Sequence, residues 1–209
     1  MLSKMSNLAA KKDTAQAQKM LDASALFAIF LSFAMAFGIA GTAPEFAIIF
    51  LGEEYAESAV LMIILAVTVP MIGWNNFVRT QILIPAQLDK TYTVAVTAGA
   101  IVNFILNVIL IYLYSARGAA IATIFSYMVV MLIQMKPLWK TVSIKIYFKY
   151  ARYSFFAGFI MFLIVRMIGR KLGISIITVI CEVIVGAIIY GIFFLCSCTD
   201  TELPDRAAL

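Results

Sequence analysis

The sequence contains no histidine, which removes imidazole acid–base catalysis and His-ligated metal sites together. Charge is almost as scarce: 13% of the 209 residues are Asp, Glu, Lys or Arg. A soluble domain carries about a quarter. Three cysteines, Cys181, Cys196 and Cys198, lie in or at the edge of the last apolar run. They compose no disulfide framework and read as buried or interfacial thiols, with palmitoylation of Cys196 or Cys198 as the alternative. No nucleophile–base set, metal cluster or Gly-rich phosphate loop is present. The chain reads as a non-enzyme that needs no cofactor. The excess of five positive charges in so apolar a chain reports topology before any nucleic acid.

What is abundant is hydrocarbon. The chain is 64% hydrophobic, with mean hydropathy +1.01. A chain this short cannot bury that much apolar surface inside a soluble fold. About 20 apolar residues cross a bilayer. The apolar runs predict an all-α bundle of six spans: 23–43, 58–84, 91–113, 118–135, 153–168 and 174–196. Pro44 and the following "EFAIIFLG" read as an irregular exit from the first span, and Pro70 and Gly73 predict a bend in the second. Residues 1–22 form a polar segment, residues 23–196 the membrane bundle, and residues 197–209 a polar tail. Within 140–152, Lys145, Lys149 and Arg152 share one helical face. That suits either an interfacial helix on an anionic leaflet or an ordinary basic loop. Twelve cations fall on one side of this arrangement and four on the other. The richer side is expected to be cytoplasmic, with both termini on it.

Lipid offers no hydrogen bonds, so polar groups within spans are informative. In the second span Thr68, Asn75 and Arg79 share a face, with Asn76 and Gln81 close by. A central arginine costs about 2.5–3.5 kcal/mol to insert. Its fixed fork suits phosphate, so this group reads as a candidate anion site; snorkelling or a structural ion pair is the alternative. In the third span Ala95, Gly99, Asn103 and Asn107 form a row, and Ala119, Ala122, Thr123 and Ser126 form another in the fourth. Small rows bring helices close, and amides bond across the contact. Asn103 and Asn107 therefore read as packing residues first and binding residues second. Glu182, in the middle of the sixth span on a face with Gly186 and Tyr190, is a candidate carrier of a coupling proton or a partner for Arg79 or Arg166.

Four stretches in order, "MLSKMSNLAAKKD", "FLGEEYAESAVLMIILA", "QILIPAQLDKT" and "IVNFILNVILIYLYSARGAAIATI", resemble the C-terminal half of the polysaccharide flippases. These belong to the multidrug/oligosaccharidyl-lipid/polysaccharide exporter superfamily. Gly52 and Tyr55 match an outer-loop motif, Asn103 and Asn107 an amide pair, and Gly118, Ala119, Ala120, Ala122 and Thr123 a small-residue step. The resemblance implies one lobe of a two-lobe transporter in the bacterial cytoplasmic membrane. Its cargo would be an undecaprenyl-pyrophosphate-linked oligosaccharide, moved between leaflets for capsule, exopolysaccharide or O-antigen synthesis. Arg79 would then meet the pyrophosphate, and Asn75, Asn76 and Gln81 would meet sugar or water. The family pattern is about twice this length, and Lys4 stands where it usually has proline. The expected partners are thus the lipid-linked cargo, membrane lipids, and either a missing N-terminal lobe or a second copy; a truncated frame or split gene would explain the length. A drug or cation antiporter lobe is the competing reading, but it would favour carboxylates in the cavity. A non-transporting membrane module or inactive remnant is another.

Overall fold

The computed structural model describes residues 14–138 and 144–200, and side chains within 18–138 and 147–193, Lys19 excepted. Lys4, Lys11, Lys12, Lys140 and Arg206 lie outside the described residues, as do the side chains of Lys19, Lys145, Cys196 and Cys198. The described residues contain helices and turns and no strand. In chain order they are α1 (Thr14–Leu51), a 3-10 turn (Glu53–Tyr55), α2 (Glu57–Ala66), α3 (Thr68–Val78), a π turn (Arg79–Leu83), α4 (Asp89–Leu138), α5 (Ile144–Leu172) and α6 (Ile176–Asp200). Five segments are long and apolar enough to cross a membrane, and the chain is a multi-pass membrane protein.

One of the five is really two passes. Fifty helical residues would run about 75 Å, against a hydrocarbon core of about 30 Å. At Ser115 the backbone leaves the helix (φ 51, ψ −133). Beyond it, Ser126 Oγ donates to the Gly99 carbonyl at 2.8 Å. A straight helix would hold those two residues about 40 Å apart, so α4 is an antiparallel hairpin and the six expected passes are all present. Gly118 sits where a Cβ would collide with the Leu110 carbonyl, which is why the hairpin closes on a small residue.

Two sequence expectations need correction. Pro44 does not end the first span: α1 runs through it to Leu51. Proline removes one helical bond and crowds the turn before it. Here Arg166 donates to the Gly41 carbonyl in that turn at 3.3 Å, and fully buried Ala43 and Ala47 hold the helix against Ala59 of α2. The second correction concerns the amides. Asn107 Nδ2 donates to Asn103 Oδ1 at 2.8 Å within one helix, rather than across the hairpin. The hydroxyl of Ser126 makes the cross-helix bond instead, because the small residues bring it within reach of a backbone carbonyl.

Near the bend expected at Pro70, the helical hydrogen bonding is interrupted at Val67, whose N–H reaches the Ile64 carbonyl at 3.3 Å while its backbone stays helical (φ −62, ψ −26). Pro70 cannot donate to Ala66, and the Thr68 hydroxyl bonds the Leu65 carbonyl at 2.6 Å. Gly73 lies at the crossing of α3 with Ser32 of α1; a Cβ there would come within 2.8 Å of Ser32 Cβ. The basic turns before the fifth span are continuous with it, since Ile144–Leu172 is one helix. α1 runs through the bundle, packing Leu21, Ala25 and Ile29 against Phe77, Val78, Leu83, Leu138 and Tyr147. Helices in lipid gain little from hydrophobic exclusion and associate through close packing. Fully buried Ala25, Ala43, Ala47, Ala95 and Ala122 fit that requirement.

Candidate functional site

The second span, both arms of the α4 hairpin and the Arg79 turn enclose a cleft of about 450 Å³. Its polar wall is made by Asn75, Asn76, Arg79, Asn103, Ser126 and Gln134. The helices explain this grouping. Asn75, Asn76 and Arg79 follow one another around the end of α3, where the π turn widens the helix. Ser126 is drawn inward by Gly99, and Gln134 lies two turns beyond on the same arm.

Arg79 is exposed in the cleft, and its guanidinium carbon sits 4.6 Å from the centre of the Tyr92 ring. Among the described residues no carboxylate lies within ion-pair distance of it. The ring holds the guanidinium by a cation–π contact that uses none of its N–H donors. Around it are buried amide atoms with no protein partner: both polar atoms of Asn75 and Oε1 of Gln134, a residue only 1% exposed. A buried amide left unpaired costs about 1–3 kcal/mol. A fixed cation surrounded by unpaired amides is suited to an anionic, hydroxyl-rich ligand.

Thus Arg79, Asn75, Asn76, Asn103 and Thr123 come together. Thr68 and Gln81 do not line the cleft: Thr68 is committed to the α2–α3 break, and Gln81 lies within the π turn. Gly118, Ala119, Ala120 and Asn107 also lie outside it, on the hairpin. Ser126, Tyr127 and Gln134 join the cleft wall without standing out in the sequence as binding residues. Their signal was polar residues spaced along the second arm of the hairpin, facing the Asn103 row.

A second polar cluster lies between α1, α5 and α6. Arg166 Nη1 reaches both oxygens of Glu45, at 2.7 and 2.9 Å. Glu182 is 1% exposed, and neither of its oxygens has a hydrogen-bond partner. It makes no direct ion pair with Arg79 or Arg166, but Arg166, held on Glu45, is close enough to act on it as a shared counter-charge. Both carboxylates reach the same point beside Gly169, where a Cβ would strike the Oε1 atoms of Glu182 and Glu45. Glu45 carries no signal in the sequence, because the proline before it reads as a helix end.

No protein-family model matches the sequence, and no curated protein does. The fold matches a solved structure of the lipid II flippase MurJ in an inward closed conformation, with a TM-score of 0.76 over 95% of this chain. The chain shares the helical fold of part of that structure. Identity to MurJ is 20%, and the chain spans 42% of MurJ's length. The likeness to MurJ therefore establishes architecture, with the other 58% of the MurJ chain lying outside the match.

Proposed function

We propose that this chain is one lobe of a flippase for a lipid-linked oligosaccharide with a phosphate headgroup, and that the Arg79 cleft receives that headgroup. The observation that carries this reading is the union of an unpaired guanidinium with the amides of Asn75, Asn76, Asn103 and Gln134 in one cleft of a flippase fold. Arg79 would hold phosphate, and the amides would hold sugar hydroxyls and acetamido groups. A cation or drug cargo fits less well, since the cleft wall carries no carboxylate. The second lobe would be a separate polypeptide or the remainder of a longer chain, and the bilayer would be the bacterial cytoplasmic membrane. Ala100 lines the cleft and is exposed, so Ala100→Trp fills it without disturbing a packed contact. Export of surface polysaccharide should fall at least tenfold at normal protein level; full export would sink the proposal.

In the same reading Glu182 is the seat of a coupling proton or cation. An unpartnered carboxyl beside a second carboxyl and one guanidinium is costly as a fixed charge and useful as a changing one. Glu182→Gln keeps the shape and removes the charge. The folded protein should be at least as stable by thermal melting, while transport falls at least tenfold. Wild-type transport by the variant would remove Glu182 from the mechanism.

A further inference from the structure

A separate groove of about 600 Å³ lies between α1, the second span, the end of α4 and α5. Its lining is hydrocarbon, thioether and aromatic. The two hydroxyls in it are already engaged: Ser32 donates to the Ile29 carbonyl and Tyr147 to Asp22. Along α5 it runs from Phe148 to Phe162. At 1.5 Å per residue that is about 21 Å. Half of a bilayer, headgroups included, is about 20–22 Å. The groove therefore has the length of one leaflet, from the headgroup level to the midplane. It is open on one side, since Phe148 is 76% exposed and Val67 51%.

The headgroup end is cationic. Lys149 and Arg152 are exposed beside Phe148 and Ala151, and both lie near the Tyr153 ring, at 6.0 and 5.9 Å. Exposed Lys136 follows Met135, which lines the same end from α4. Arg152 is one helical turn from Phe148, at the groove's edge. An apolar slot of one-leaflet length with cations at its outer end is complementary to a phosphate-headed chain. A protein surface from another lobe would supply no reason for that pairing of length and charge. A chain much longer than one leaflet would overrun the slot.

We propose that this groove binds one acyl chain of an anionic phospholipid, with the lipid phosphate at the Lys136, Lys149 and Arg152 end. Trp74 lines the groove and reports on it. The sequence has two tryptophans, so Trp139→Phe leaves Trp74 alone. The full chain would be placed in phosphatidylcholine bilayers containing a minor fraction of lipid brominated along the chain. Brominated phosphatidylglycerol should quench Trp74 at least threefold more than brominated phosphatidylcholine at equal mole fraction. Ala151→Phe, which narrows the slot, should remove the extra quenching. Lys149→Glu with Arg152→Glu, at exposed positions that carry no packing, should equalise the two lipids. Equal quenching in the unaltered groove would overturn the proposal. So would a preference that survives the charge reversal, or a dimer that shields Trp74 from both lipids.

Discussion

Arg79→Ala is expected to stop export of surface polysaccharide in cells where this lobe works with its complement, while the protein stays in the membrane at normal level. The energetics set the size. A charge-assisted hydrogen bond contributes about 1.5–3 kcal/mol, so losing a two-pronged contact to phosphate costs about 3 kcal/mol or more, on the order of a hundredfold in affinity. Insertion points the other way. Arg79 lies four residues from the end of its span at Leu83, so alanine removes only part of the about 2.5–3.5 kcal/mol that a central arginine costs, and the variant should be made at least as well as the wild type. A loss of export therefore could not be blamed on lost protein. Arg79→Lys keeps the charge but not the fork, and changes the cation held over the Tyr92 ring. Its export should fall between the two. Wild-type export by Arg79→Ala would show that the guanidinium merely snorkels to the interface.

The largest stability effect is expected from Arg166→Met. Arg166 is 20% exposed and Glu45 7%, so the pair is desolvated. Removing the arginine leaves Glu45 and Glu182 facing each other beside Gly169 without a counter-charge. Breaking a buried pair costs about 3–5 kcal/mol. In a chain of this size each kcal/mol moves the midpoint by about 2–4 °C. Thermal unfolding in detergent should therefore show a drop on the order of 10 °C. Combining Arg166→Met with Glu45→Leu and Glu182→Gln removes the orphaned charges and should restore most of it. A triple variant as unstable as the single one would locate the effect in lost packing of the long side chain.

The outline of this fold lay close to the surface of the sequence, because a bilayer demands long apolar runs and tight turns are written in polar residues. "YSARG" between two apolar runs placed the hairpin correctly, even though the helix is broken by a single residue there. Half of the cleft was equally plain: Asn75, Asn76 and Arg79 stand out against hydrocarbon. The other half was obscured because Ser126 and Gln134 are ordinary on their own helix. They become part of a wall once Gly99 lets the two arms close. Glu45 was hidden for a different reason. Proline usually marks an end, and only a guanidinium from a helix about 120 residues later supports the turn that Pro44 disturbs. Side chains that depend on distant partners leave little trace in local pattern.

Two ways of joining helices divide the bundle mechanically. α1 and α5 are pinned near one end by Tyr147 on Asp22 and near the other by Arg166 on Glu45. From Asp22 to Glu45 is about 35 Å of helix, so the pair behaves as a single beam fastened at both ends. The wall that carries Asn75, Asn76 and Arg79 is built the opposite way. It is an eleven-residue segment, α3, set between a shortened hydrogen-bond turn at Val67 and a widened turn at Arg79. This segment is also packed on the beam, with Gly73 against Ser32 and Phe77 and Val78 in one buried cluster with Leu21, Ala25 and Ile29, so a change in cleft width on this side must carry α1 with it or repack that crossing.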